Sequence, residues 1–171
     1  MAGRKPKEEF LIDIKAQDQA IAEMVAFFRR RYRVIAMPIY GLILAHGRPC
    51  YMGERTFAGR RATRKQCYEN AYNLADSNPS LTYVEGWCRT GMFIEHAWCI
   101  DPDRQVIDPT LREAAGYFGI PFRWEYVRAT ASRTKVYGVI HANYDYGHSD
   151  LLTAPVETFL YDPEERHGER R

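Results

Sequence analysis

The sequence predicts an α+β fold in which an antiparallel sheet packs against helices. Apolar residues recur at helical spacing between residues 18 and 31, and a second helical pattern surrounds Cys67. Several strand-like runs then follow one another from residue 81 onward. Helices that precede a series of strands, rather than alternating with them, are typical of α+β folds.

The composition indicates a globular chain with a core of its own. The chain has 171 residues, of which 46% are hydrophobic and 13% aromatic, and this excludes a disordered protein. We expect one domain at 10–161 between loose, charged tails at 1–9 and 162–171. The apolar runs are short and no apolar stretch follows the basic N-terminus, so we expect a cytoplasmic protein with no membrane partner. The oligomeric state stays open.

Charge and cysteine content argue against two further classes. The 24 Lys and Arg residues nearly balance the 22 Asp and Glu residues, and a net charge of +2 does not favour a nucleic-acid binder. None of the four cysteines lies in a Cys-x-x-Cys pair, so we expect free thiols. Because Cys88, His96 and Cys99 match no common zinc-ligand spacing, we expect no metal and no cofactor.

The N-terminal half is predicted as a helix, a broken strand and a loop. The helix covers 18–31, where one stripe contains Ala20, Ile21, Met24, Val25 and Phe28. Residues 33–46 are rich in Val, Ile, Leu and Tyr but contain Pro38 and Gly41, which predicts a bent or broken strand. Residues 48–65 are predicted as a loop with six cations against one anion. This loop is either a solvated surface or a patch that attracts an anionic substrate.

The cysteine helix is predicted to begin at Thr63, because Thr63 and Gln66 have the spacing of a capping box. Cys67 would then close the first turn, where the helix dipole and the free backbone N–H groups favour a thiolate. Arg64 and Lys65 lie in the same turn. Cations at a helix N-terminus make sense if a thiolate or an anionic substrate has to be held nearby.

The cysteine helix should end near residues 76–79, and strands are then predicted at 81–88, 92–100, 105–108, 122–127 and 134–142. Alternation along the second strand places His96 on one face with Ile94 and Trp98. Asp108 follows one hairpin later. A nucleophilic cysteine, a histidine that takes its proton and an aspartate that orients the histidine form a catalytic triad on any fold that assembles them. A buried cysteine, a core histidine and a turn aspartate are the structural alternatives.

The hairpin between His96 and Asp108 must have an odd loop length or a bulge if the two side chains are to share a face. A two-residue loop would place Asp108 on the far face. A three-residue loop would pair Ile100 with Arg104, and a five-residue loop would pair Ile100 with Val106. We prefer the five-residue loop because it matches two apolar residues across the pair.

Three motifs resemble the transglutaminase-like branch of the papain-like superfamily: Tyr83-Val84-Glu85-Gly86, His96-Ala97-Trp98 and Asp108-Pro109-Thr110. In that family a cysteine at a helix start is followed by a histidine on one strand and an aspartate on the next. Cys67, His96 and Asp108 match this order. The resemblance covers residues 63–111 and implies a papain-like core.

The resemblance also implies the roles of the residues. Cys67 would attack a carbonyl carbon, His96 would take the thiol proton and give it to the leaving amine, and Asp108 would orient His96. The backbone N–H of Cys67, with the side chain of Gln66, would stabilise the oxyanion. The implied activity is that of a cysteine-dependent hydrolase, or an acyl transferase, on an amide, peptide or isopeptide bond.

The substrate would be a peptide or protein, and Arg64 and Lys65 would suit an acidic one. We expect Trp87 and Trp98 to wall the substrate site. His141 is the alternative base if His96 is misplaced.

Two rival functions are compatible with the sequence. The chain could be a non-enzymatic protein-binding module that keeps the fold and uses the basic loop and exposed aromatics. It could also bind nucleic acid through residues 48–65 together with Tyr51 and Phe57.

Overall fold

A computed structural model describes residues 13–35, 37–53, 65–112, 114–140 and 149–162. Within these ranges the helices and strands, in chain order, are α1 (Ile14–Ile35), α2 (Pro38–His46), β1 (Arg48–Cys50), α3 (Cys67–Ser77), β2 (Thr82–Arg89), β3 (Phe93–Ile100), β4 (Val106–Ile107), β5 (Gly116–Pro121), α4 (Trp124–Thr134), α5 (Ser149–Thr153) and α6 (Val156–Phe159). The strands form one antiparallel sheet in the order β1-β5-β2-β3-β4. The predicted α+β arrangement, with an antiparallel sheet packed against helices, is therefore confirmed.

The first helix forms where its apolar stripe predicts one, and it extends beyond the predicted range at both ends. Its stripe packs on one face of the sheet. Phe28 stacks on Trp87 of β2 with 3.7 Å between ring centroids and 7° between planes. Tyr40 of α2 meets the same indole edge-on at 5.5 Å. Helices α1 and α2 thus cover the face of β2 that carries Trp87.

The prediction of a bent strand at 33–46 is wrong, because residues 38–46 form helix α2. Pro38 occupies the start of the helix, where a backbone N–H has no intrahelical acceptor and proline costs nothing. Gly41 lies against the ring of Tyr32, so its missing side chain serves helix packing rather than a bend in a strand. The segment is apolar nearly all round, and its hydrophobic pattern therefore lacked a helical period.

Residues 48–65 are not all loop, because 48–50 form strand β1, which pairs with β5. Cys50, at the end of this strand, is buried. Residues 54–64, which hold most of the predicted basic patch, lie outside the described residues.

The predicted strand at 122–127 is also wrong. The strand β5 lies just before it, and helix α4 begins at Trp124. Strand β5 contains two glycines because its neighbours approach closely: an added Cβ at Gly119 would lie 2.5 Å from the carbonyl oxygen of Glu85. Helix α4 buries Val127, Thr130 and Thr134. Two of these three residues are threonines. The buried stripe of α4 therefore does not appear as a helical repeat of apolar residues in the sequence.

The predicted strand at 134–142 does not form within the described residues. Lys135 adopts a left-handed conformation with φ of 60° and ends α4. The buried carboxylate of Glu85 then accepts hydrogen bonds from the backbone N–H groups of Val139 and Ile140. A carboxylate therefore provides the hydrogen-bond acceptors that these two backbone N–H groups would otherwise find in a neighbouring strand.

The hairpin β3–β4 has the register that places Asp108 on the face of His96. Ile100 pairs with Val106 and Cys99 with Ile107, as the preferred five-residue loop predicts. The Arg104 N–H donates to the carbonyl of Asp101 at 2.9 Å, and Arg104 itself has φ of 62°. A turn followed by a residue in the left-handed conformation gives the loop an odd number of residues. This odd number is what places Asp108 on the same face of the sheet as His96.

Helix α3 lies against β3 and brings Cys67 to this hairpin. The thiol of Cys99 donates to the carbonyl of Ala71 at 3.4 Å, which fixes the middle of α3 on the strand. Strand β4 pairs only with Cys99 and Ile100. Among the described residues, the edge of β3 beside His96 thus carries no further strand, and the start of α3 has room to approach it. No helix of the described residues is both long and apolar enough to cross a membrane.

Gly86 is a position where the sheet tolerates no side chain. It pairs with His96 on one side and with Gly119 on the other, and an added Cβ would lie 2.3 Å from the carbonyl oxygen of Phe118. The added Cβ would clash with the backbone of Phe118 and Gly119, which cannot move aside as a flexible side chain can. Gly86→Ala should therefore lower the free energy of unfolding by about 3 kcal/mol or more.

Gly91→Ala is the matched control. Gly91 has φ of +98° with no atom within 4 Å of an added Cβ, so only backbone strain opposes the change. This variant should lose about 1 kcal/mol, the cost of placing a Cβ on left-handed backbone. Urea unfolding of both variants measures the difference, and equal losses would contradict the close approach of β2 and β5.

Candidate functional site

Cys67 is the first residue of α3, and Gln66 is its N-cap. The predicted helix start at Thr63 is therefore wrong. Lys65 has φ of 67°, a left-handed conformation that a helical turn cannot contain, so the helix cannot begin before it. The first intrahelical bond is donated by the Asn70 N–H to the carbonyl of Gln66 at 2.8 Å. The backbone N–H of Cys67 precedes that bond and has no acceptor within the helix.

The structure brings Cys67, His96 and Asp108 together. His96 Nε2 lies 2.7 Å from Asp108 Oδ2, and both side chains are almost fully buried. The Cys67 side chain forms a hydrogen bond with the His96 ring. Three elements, α3, β3 and the turn after β4, thus contribute one side chain each to a linked chain of groups.

Four donors surround the carboxylate of Asp108. Its Oδ1 accepts the backbone N–H groups of Thr110 at 2.7 Å and Leu111 at 2.9 Å. Its Oδ2 accepts from His96 Nε2 and from the hydroxyl of Tyr117 at 2.9 Å. Burial alone would raise the pKa of Asp108, but the hydrogen bonds with His96 and the two backbone groups lower it below its ordinary value. Asp108 is therefore an ionised acceptor.

The ionised carboxylate determines the tautomer of His96. A carboxylate can only accept, so Nε2 of the imidazole carries the hydrogen, and Nδ1 is the ring nitrogen left for Cys67. Burial lowers the pKa of His96, but the hydrogen bonds with Asp108 and Cys67 outweigh it and raise that pKa to about 9. The site can therefore hold an imidazolium beside the sulfur, or accept the thiol proton at Nδ1.

Sequence reasoning missed two groups that hold the site together. Tyr117 lies on β5, and no motif in the sequence distinguishes it from a core aromatic. Asn70, one turn after Cys67, donates from Nδ2 to the Thr110 hydroxyl at 3.0 Å and so ties α3 to the Asp108 turn. Thr110 belongs to the Asp-Pro-Thr motif and could have been suspected. Tyr117 gave no signal, because its contact depends on a strand that was itself not predicted.

The two tryptophans expected as site walls have other places. Trp87 lies on the opposite face of the sheet from His96, stacked on Phe28, so its assignment to the site is wrong. Trp98 does lie beside His96, with 6.2 Å between ring centroids, and contacts Tyr117 at 5.0 Å. It is fully buried, however, and therefore packs behind the histidine instead of lining an open surface for substrate.

The remaining predicted site residues lie at or before the start of α3. Gln66 is exposed, and its side chain forms no capping bond to the helix. Lys65 is exposed two residues before Cys67. Arg64 and the alternative base His141 lie outside the described residues, so the positions of their side chains are not given.

The other three cysteines are in chemically different surroundings from Cys67. Cys50, Cys88 and Cys99 are buried, whereas Cys67 is partly exposed. Burial raises the pKa of Cys50 to about 12 and raises those of Cys88 and Cys99 further. In the described part of the chain, no group of three or more His, Cys, Asp or Glu side chains is placed to hold a metal ion.

Comparison with protein-family models, with curated proteins and with solved structures finds no match for this chain. We therefore infer function from the residues of the site and from the motifs of the sequence.

Cys67 should be the most reactive cysteine of the protein, because it combines partial exposure with a hydrogen bond to His96. Limited treatment with iodoacetamide at neutral pH, followed by peptide mass spectrometry, should find Cys67 labelled first. In Cys67→Ser, labelling of the folded protein should fall to the slow background of the buried thiols. Earlier labelling of Cys50, Cys88 or Cys99 would contradict this description of the site.

The pair of His96 and Asp108 should make stability depend on pH. The pKa of His96 is raised from 6.5 to about 9, so the folded state holds this proton more tightly than the unfolded chain does. The contribution is complete below pH 6.5 and is lost as the pH rises to about 9, a change of up to about 3 kcal/mol. The lowered pKa of Asp108 has the opposite sign: its contribution is lost as the medium becomes acidic.

Urea unfolding at pH 6.5 and at pH 9 measures the histidine contribution. His96→Gln should remove most of the decline between the two values, because glutamine does not titrate. An equal decline in the variant and the natural protein would show that other groups are responsible.

Proposed function

We propose that the chain is a cysteine-dependent hydrolase or acyl transferase that acts on an amide, peptide or isopeptide bond. Its nucleophile is Cys67, its base and acid is His96, and Asp108 orients the imidazole. The fold proposed for it is the transglutaminase-like variant of the papain-like core, which the motifs in 63–111 resemble.

One observation supports this proposal above the others. His96 Nε2 donates to the ionised Asp108 at 2.7 Å, and the side chain of Cys67 is hydrogen-bonded to the same imidazole. A histidine that merely satisfies a core carboxylate needs no partly exposed thiol beside its second nitrogen. The order nucleophile, base and orienting acid is the arrangement that nucleophilic catalysis requires.

In the proposed first half-reaction, Cys67 Sγ attacks the substrate carbonyl carbon, and its proton resides on Nδ1 of His96. The carbonyl oxygen becomes an oxyanion, for which the backbone N–H of Cys67 at the start of α3 is the proposed donor. The bond between carbon and nitrogen then breaks, and His96 gives its proton to the departing amine. The product is a thioester on Cys67.

In the second half-reaction, neutral His96 takes a proton from the acceptor, which attacks the thioester carbon. Water as acceptor releases a carboxylic acid, and an amine as acceptor releases a new amide. The sulfur leaves as a thiolate and recovers the proton from the imidazolium, which restores the starting state. Hydrolysis is our preferred outcome, since water needs no binding site of its own.

Hydrolysis is tested by the gain of fluorescence on cleavage of a mixture of internally quenched fluorescent peptides. Transfer is tested by the incorporation of a fluorescent primary amine into casein. Cys67→Ala should abolish both. Asp108→Asn should reduce the rate by about 10²–10⁴-fold, because an amide no longer selects the Nε2–H tautomer. Cys50→Ala is the matched control, since it removes a buried thiol from the same sheet face and should keep the activity of the natural protein.

Two results would contradict the proposal. One is turnover that survives in Cys67→Ala, which would place the chemistry elsewhere. The other is a natural protein that is inert in both assays while Cys67 also resists alkylation, which would favour a binding module that keeps the fold.

A further inference from the structure

We propose that Tyr117 is a positioning residue of this site: its hydroxyl shares the Oδ2 oxygen of Asp108 with His96 and so sets how tightly that carboxylate holds the imidazole proton. The catalytic meaning of this inference rests on the proposed function, whereas the contact itself does not.

The geometry distinguishes Tyr117 from the other donors to Asp108. The backbone N–H groups of Thr110 and Leu111 occupy Oδ1, whereas Tyr117 and His96 both donate to Oδ2, at 2.9 Å and 2.7 Å. The two donated hydrogens therefore compete for the charge of one oxygen. All three side chains are buried, so water does not screen the electrostatic interactions of the two donors with this oxygen.

The direction of the effect follows from electrostatics. The hydroxyl hydrogen of Tyr117 is the positive end of a dipole, and it points to the same oxygen that the His96 imidazolium approaches. It therefore weakens the attraction between imidazolium and carboxylate. Removing it should make His96 hold its proton more tightly. Such a histidine is a poorer acid toward the leaving amine of the proposed reaction.

The aromatic ring of Tyr117 has a separate, structural role. It packs at 5.0 Å from the Trp98 ring and at 6.4 Å from the His96 ring, measured between centroids. Tyr117→Phe keeps this packing and removes only the hydroxyl. Among the described residues, the other titratable groups whose charges interact with Asp108 are the buried thiols of Cys88 and Cys99, whose pKa values burial raises far above the range in which His96 titrates. Cys67, which contacts His96 itself, is the same in every variant compared. A shift in the pKa of His96 can therefore be assigned to the Tyr117 hydroxyl.

Tyr83 offers a matched control on the other face of the sheet. Its hydroxyl also donates at 2.9 Å to a buried carboxylate, that of Glu85. Tyr83→Phe is thus the same chemical change at the same depth, with no direct contact to His96 or Asp108. A purely structural effect of losing such a hydroxyl would appear equally in both variants.

The experiment is an NMR titration of the His96 imidazole in the natural protein and in both variants, which requires no substrate. Tyr117→Phe should raise the pKa of His96 by about 0.5–1 unit, and Tyr83→Phe should leave it unchanged. Difluorotyrosine at position 117 keeps the ring, strengthens the donor and should lower that pKa, which keeps the test decisive if Tyr117→Phe folds poorly.

An unchanged His96 pKa in both Tyr117 variants would overturn the inference, as would an equal shift in Tyr83→Phe. These outcomes are independent of turnover. A protein that is inert in both assays and whose Cys67 resists alkylation, but which shows the expected shifts in the pKa of His96, would contradict the proposed function and leave the role of Tyr117 intact. A cleaving protein without the shifts would do the reverse.

Discussion

The buried carboxylate of Asp108 connects several parts of the chain through hydrogen bonds. Its two oxygens accept from the turn that follows β4, from β3 through His96 and from β5 through Tyr117. Helix α3 joins the same group through Asn70 and Thr110. An ionised carboxylate in such a place is costly unless it is fully hydrogen-bonded, so these donors have to be present together. The arrangement of Cys67 and His96 depends on this condition.

Much of this arrangement could be predicted from the sequence because it is local. Strands β2 and β3 are buried runs joined by a short turn, and the match of Ile100 with Val106 gave the correct hairpin register. That register placed Asp108 on the face of His96. The same parity excludes Trp87 from the site: Gly86 lies opposite His96, and the next residue must point to the other face.

The remaining parts depend on contacts between distant segments. Helix α2 is apolar on nearly every side, strand β5 contains glycines that allow close approach, and the buried stripe of α4 is mostly threonine. None of these shows a clean apolar period. Tyr117 could not be recognised without β5, because its hydroxyl reaches Asp108 only when that strand pairs with β2. The start of α3 was predicted too early, because the capping-box spacing of Thr63 and Gln66 carries no information about the left-handed backbone of Lys65.

The central claim is that His96 and Asp108 act on Cys67 as one unit. A double-mutant cycle on the rate of Cys67 alkylation at neutral pH tests it most directly, using the natural protein, His96→Gln, Asp108→Asn and the double variant. If Asp108 acts through His96, Asp108→Asn should slow alkylation in the natural protein and have no further effect once His96 is replaced. Independent effects that multiply in the double variant would show that the two residues do not form a unit and would contradict the account.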